Sequence, residues 1–156
     1  MCNQPQRLAA ALAPVRSALV AQASGEAPIS RWGLGYIQGG DVLLVRTPKS
    51  STTPIDLAGP LGEIATDCAI AQAVSDPRGT YSGTDNTPPF RYRRWLFAQS
   101  GHIQVRTASG SLAPAPEINA NLLAHIPEYL RRNIRGRTPS EVVFHVFLSI
   151  DRKSVV

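Results

Sequence analysis

At 156 residues the chain has room for one hydrophobic core and not for two ordinary domains. Its hydrophobic fraction of 43% suits a globular protein, and no stretch approaches the ~20 consecutive apolar residues that span a membrane. The net charge of +5 comes from fourteen arginines against two lysines. Phosphate binding would need those arginines to cluster. The dense groups are Arg91, Arg93 and Arg94, beside an aromatic stretch, and Arg131, Arg132, Arg135 and Arg137. The second group falls at an expected helix end, where cations complement the macrodipole. No nucleic-acid recognition motif accompanies either, so neither nucleic acid nor membrane is expected as a partner. Two cysteines, Cys2 and Cys68, make neither a disulfide framework nor a four-ligand zinc site, and His102, His125 and His145 add no metal-ligand spacing. No metal or cofactor is expected. Met1 to Arg7 lack the basic-then-apolar order of a secretory signal, which reads as a cytoplasmic chain with reduced thiols.

In chain order, Leu8, Leu12, Val15, Leu19 and Val20 form one apolar stripe of a helix from about Leu8, broken or kinked at Pro14. Trp32 to Tyr36 and Val42 to Arg46 flank Gly39, Gly40 and Asp41, a hairpin signature. Thr47 to Pro60 reads as a surface connection, followed by a short helix near Leu61. Cys68 to Val74 is short and apolar and reads as a buried strand, with Cys68 as a small buried hydrophobe. Asp76 to Pro89 is a loop by composition. Trp95 to Ala98 and Ile103 to Arg106 bracket Gln99, Ser100 and Gly101, predicting a second hairpin or a strand with a sharp turn. Trp32, Phe90, Trp95 and Phe97 sit in strand-like runs and are expected in the core. Ile118, Leu122, Leu123, Ile126 and Leu130 have helical spacing interrupted by Pro127. Thr138, Pro139 and Glu141 then open a helix with a capping box. Its positions Val142, Val143, Phe144, Val146, Phe147 and Ile150 are dense enough to predict a largely buried element. Hairpins followed by helices out of strict alternation predict an α+β class.

The chemistry centres on position 2. Removal of Met1 would make Cys2 N-terminal, and its own α-amino group could then act as general base for its thiol. Around it lies an ordered set of motifs: Met1, Cys2, Asn3; Ser30, Arg31, Trp32, Gly33, Leu34, Gly35, Tyr36, Ile37; Asn86, Thr87, Pro88, Pro89, Phe90; Trp95 through Ile103; and Gly136, Arg137, Thr138, Pro139, Ser140, Glu141 up to Phe144. This set resembles the class II (Ntn-type, N-terminal Cys) glutamine amidotransferases, in particular the compact bacterial members similar to ergothioneine-pathway γ-glutamyl hydrolases. The family forms of these motifs are Met-Cys, Asp-Gly-Trp-Gly, Asn-x-His-Pro-Phe, Trp-x-Phe-Ala-His-Asn-Gly-x-Ile and Gly-x-Thr-Asp-Ser-Glu.

The resemblance implies an Ntn-hydrolase-like αββα two-sheet sandwich over residues 1–150 with a tail at 151–156, incomplete at its C-terminus. It implies catalytic roles for Cys2, Gly101 and Ser100, and substrate contact at Asn86. The departures fall on the binding positions. The family's His-Val-Arg, whose arginine holds the glutamine α-carboxylate, looks like Gln72, Ala73, Val74. Ser100 stands where the Asn of the oxyanion hole is expected, and Pro139 where an aspartate binds the substrate amine. Arg78, four residues past Val74, reads foremost as a solvated loop arginine after Pro77, with replacement of the carboxylate anchor by a bidentate contact as the alternative. The expected activity is hydrolysis of a γ-glutamyl amide, weakened or lost. The alternative is a pseudoenzyme binding a protein or another ligand, with a protein partner covering the shortened sheet.

Overall fold

The computed structural model of the protein describes Pro14 and residues 29–48, 64–66, 68–76, 79–101, 103–104, 106, 109–112 and 114–153. The chain divides into two compact units, one ending at Phe97 and one beginning at Ala98. The described part of the first is built on antiparallel strands and that of the second on helices, so the class is α+β. Apart from a helical Pro14, the expected helix from Leu8 lies outside the described residues, as do most of the Thr47–Pro60 connection and the helix near Leu61.

In the first unit β1 (Ile29–Gln38) is the centre of a three-stranded sheet, between β2 (Asp41–Thr47) and β3 (Ala69–Ser75). Gly39 and Gly40 make the two-residue turn into β2, with φ of 60° and 84°. Both angles are positive, which is what a tight hairpin matching the strand twist demands and what glycine supplies without a Cβ clash. Asp41 lies opposite Gln38 and so opens β2 rather than belonging to the turn. Alternation splits β1 into two faces. One presents Trp32, Leu34 and Tyr36, and Leu34 on it is fully buried. The other presents Arg31, Gly33, Gly35 and Ile37. On that face a methyl at Gly33 would run into the Pro88 carbonyl oxygen, and one at Gly35 would stand 2.6 Å from Leu96 Cδ2 and 3.0 Å from Pro89 Cγ. The two glycines are therefore the floor on which the 88–96 segment rests.

Three expectations for this unit need correction. Cys68 precedes β3 and is exposed, and β3 itself is half-buried because Ala71 and Ser75 face outward. The chain is pinned here instead by buried Thr66, whose hydroxyl donates to Ile37 O or Cys68 O (2.6 and 2.8 Å) and accepts from the amides of both residues. Trp95 to Phe97 do form a strand, but its partner precedes it. β5 (Trp95–Phe97) pairs with β4 (Phe90–Tyr92), pairing Phe90 with Phe97 and Tyr92 with Trp95. Downstream, Arg106 forms an isolated antiparallel bridge with Leu112. Phe90 is core, whereas Trp32 and Phe97 are half-buried and Trp95, next to the hairpin tip, is 44% exposed.

In the second unit α1 (Ala115–Leu123) starts after Pro114, and α2 (Glu128–Arg131) starts after Pro127, at the break expected there. Both pack on α3 (Pro139–Lys153). Ile118, Ile126, Leu130, Val142, Phe144 and Leu148 form the core. Thr138 caps α3 by accepting the Glu141 amide at 3.4 Å. The Glu141 carboxylate takes the amides of Arg135 (3.0 Å) and Gly136 (2.7 Å), fixing the approach to the helix in addition to its first turn. The helix is not buried all round. At 3.6 residues per turn the buried stripe runs through Glu141, Val142, His145, Leu148 and Ser149, so Phe147 and Ile150 turn outward, 50% and 58% exposed. No helix among the described residues is long and apolar enough to cross a membrane.

Candidate functional site

The segment after β3 is organised by one carboxylate. Asp76 accepts the amides of Thr80 (3.2 Å) and Tyr81 (2.9 Å), folding the chain into a turn closed by Gly79 N–H on Asp76 O at 2.9 Å. It also pairs with Arg31 Nη1 at 2.9 Å, with both side chains nearly buried. Burial pushes the Asp76 carboxyl up, but the Tyr81 amide, the Arg31 hydrogen bond, the Thr80 amide and the Arg31 charge together outweigh it. The net displacement is below the ordinary carboxylate range.

From that pair Arg31 reaches on, its Nε donating to Asn86 O at 3.2 Å. Arg46, opposite Gly33 on the same sheet face, donates to Thr84 O (3.3 Å) and Pro89 O (2.7 Å). Arg91 returns the link, donating from β4 to Val42 O at 2.7 Å. Arginines thus lace the 84–91 segment to the sheet through its carbonyls, and the residues from Asn86 to Phe90 are all buried. Such charge-assisted bonds satisfy carbonyls that would otherwise be stranded in a buried loop.

Asn86 lies inside this lacing. Its side-chain amide donates to Ser82 O at 2.7 Å, its backbone amide to Gly83 O at 3.2 Å, and the residue is 7% exposed. The Asn86 position is therefore held as part of the loop's own framework.

Ser100 and Gly101, in the second unit, are the opposite case. Both are exposed, and neither makes a hydrogen bond among the described residues. Gly101 has φ of 95°, with nothing within 4 Å of where a Cβ would be. Its amide and the Ser100 hydroxyl are unspent donors, and the backbone angle favours glycine at 101 irrespective of packing.

Cys2 and Arg78 lie outside the described residues. Val74 sits near the end of β3 directly opposite Arg31, and Ser30 Oγ donates to Val74 O at 3.0 Å. The position without a charge on β3 thus faces one on β1, already committed to Asp76 and Asn86. Pro139 is the first residue of α3. Sequence reasoning passed over Arg31, Arg46 and Asp76. The available signal was an arginine inside an otherwise apolar strand, where burial without a counter-charge is costly. Among the described residues no group of three His, Cys, Asp or Glu could hold a metal ion.

No family model, no curated protein and no solved structure matches this chain.

Proposed function

We propose that the chain is a class II glutamine amidotransferase-like domain of Ntn-hydrolase-like αββα type, with Cys2 as nucleophile and a weakened grip on glutamine. The ordered run of motifs from Cys2 to Phe144 carries this reading. In the proposed reaction the Cys2 α-amino group takes the thiol proton, and the thiolate adds to the γ-carbonyl of a γ-glutamyl amide. The oxyanion is met by Gly101 N–H and Ser100 Oγ, the amine leaves with the proton, and water then cleaves the thioester. The unspent donors at Ser100 and Gly101 support these roles. Their exposure argues for a slow reaction, because oxyanion stabilisation is strongest where water is excluded.

The second reading is a catalytically inactive relative that binds a protein or another ligand. The observation favouring it is that Asn86 is buried and bonded within its own loop, while Val74 and Pro139 bring no charge. Each charged hydrogen bond is worth about 1.5 to 3 kcal/mol, so losing the carboxylate and amine anchors weakens glutamine binding by roughly 100-fold to 10,000-fold.

Ammonia release with rising glutamine should therefore show no saturation at millimolar substrate. Restoring the site needs more than Val74→Arg, because that change sets a second guanidinium opposite Arg31, and like charges directly opposite repel. The variant combining Arg31→Gly, Val74→Arg, Ser100→Asn and Pro139→Asp is expected to gain turnover. Robust saturable hydrolysis by the unaltered chain would contradict the weakened site, and no gain in a folded combined variant would count against the family reading.

A further inference from the structure

The tip of the β4–β5 hairpin concentrates features that stability alone does not favour. Tyr92 and Trp95 are cross-strand partners, joined by a two-residue turn of Arg93 and Arg94. Arg93 takes φ of 52°, a left-handed conformation uncommon for a residue with a Cβ, and its guanidinium lies 5.6 Å from the Tyr92 ring centroid. Arg91, Arg93 and Arg94 are exposed. None of them is ion-paired, since the ion pair among the described residues is Arg31 with Asp76. Beside them Trp95 is 44% exposed. Alternation puts Tyr92 and Trp95 on the hairpin face opposite Leu96, the residue that packs toward Gly35.

We propose that this tip, Tyr92 to Trp95, binds single-stranded nucleic acid, with Trp95 stacking on a base and Arg93 and Arg94 contacting the flanking phosphates. The arginine cluster alone, without a nucleic-acid recognition motif beside it, does not suggest such a partner, and in the sequence Trp95 reads as core. An exposed indole flanked by uncompensated guanidinia is the pairing that a single strand requires, a stacking platform with cations tracking the backbone. The net charge of +5 adds long-range attraction for a polyanion and disfavours a second copy of this chain as the occupant.

The test is fluorescence anisotropy of end-labelled decathymidylate and decauridylate, titrated with the full chain over a series of salt concentrations. Measurable binding is expected. Trp95→Ala should weaken it about tenfold, within the range for loss of one base–aromatic stack, and Trp95→Phe should keep most of it. Arg93→Ser with Arg94→Ser should lower the slope of log K against log salt by roughly 1.4, the loss of two phosphate contacts on a single strand. Circular dichroism of each variant establishes that the fold persists. Absence of binding overturns the proposal. So does binding that a folded Trp95→Ala leaves unchanged, which is attraction to bulk basic charge. Decaglutamate competing as well as decathymidylate also overturns it, and points to an acidic protein surface.

Discussion

Among the described residues from Asp76 to Phe90, Asn86, Thr84 and Pro89 give their carbonyls to Arg31 and Arg46, and the Asn86 side chain turns inward to Ser82, so these polar groups serve the fold itself. Among the described residues from Ala98 to Leu112, Arg106 donates to Gly110 O at 3.0 Å, a short-range bond, and Ser100 and Gly101 keep their donors open. Both stretches carry motifs of the same resemblance. The difference separates two kinds of motif position: Asn86 is bound into the framework under the sheet whatever the chemistry, whereas the donors of Ser100 and Gly101 are not consumed by the fold. A motif resemblance is thus evidence of activity only where its polar groups are not already consumed by the fold.

The comparison breaks most visibly at Gly33. A methyl there meets the Pro88 carbonyl and Pro89, so Gly33→Ala should cost about 3 kcal/mol or more, at the upper end of overpacking effects, in urea unfolding. A loss below 1 kcal/mol would mean that the 88–90 segment does not rest on the strand.

Next in size is Arg31→Met, which leaves Asp76 without its cation and Asn86 O without its donor, for an expected loss of about 2 to 3 kcal/mol at neutral pH. The pH dependence follows from the direction of the Asp76 shift. Its folded pKa lies below the ordinary 3.8, so its stabilisation is complete above the unfolded value and disappears as pH falls through the folded one. The gap between parent and variant should narrow over that acid window. A gap independent of pH would place the loss in packing rather than in the ion pair.

Arg46→Met removes the bonds to Thr84 O and Pro89 O and should cost about 1.5 kcal/mol, with faster amide exchange in the 84–90 segment. At the far end Ser100→Ala should change stability by less than about 0.5 kcal/mol, as expected for an exposed residue without partners. A larger effect would show that Ser100 is structural and would remove the contrast between the two stretches.

How much of this was legible in the sequence depended on whether the cause was local. The Gly39–Gly40 turn, the Pro127 break and the Thr138 cap each announce themselves through one residue's backbone or side-chain chemistry, and each was found. The β4–β5 turn was missed because Arg93 and Arg94 are not turn formers, and Arg93 adopts a positive φ that sequence rules reserve for glycine or asparagine. Pairing Trp95 with a later strand followed from reading Gly101 as the turn. The arginine lacing was invisible because its acceptors are backbone carbonyls, which every residue carries, so nothing in the sequence marks Thr84, Asn86 or Pro89 as partners. Arginine clusters were weighed only as charge. For the candidate site, the family resemblance pointed to Ser100 and Gly101, but whether their donors were spent could only be read from the fold.

In the proposed function Cys2 acts as a nucleophile with a weakened grip on glutamine. The most direct measurement is time-resolved labelling by 6-diazo-5-oxo-L-norleucine, an electrophilic glutamine analogue, followed by peptide mass mapping. Cys68 is exposed and serves as the internal reference thiol. The account predicts a terminal Cys2 freed of Met1, modified in preference to Cys68 at a rate that rises linearly with analogue into the millimolar range. Labelling of Cys2 no faster than Cys68, or an intact Met1 on the protein from its native host, would contradict it.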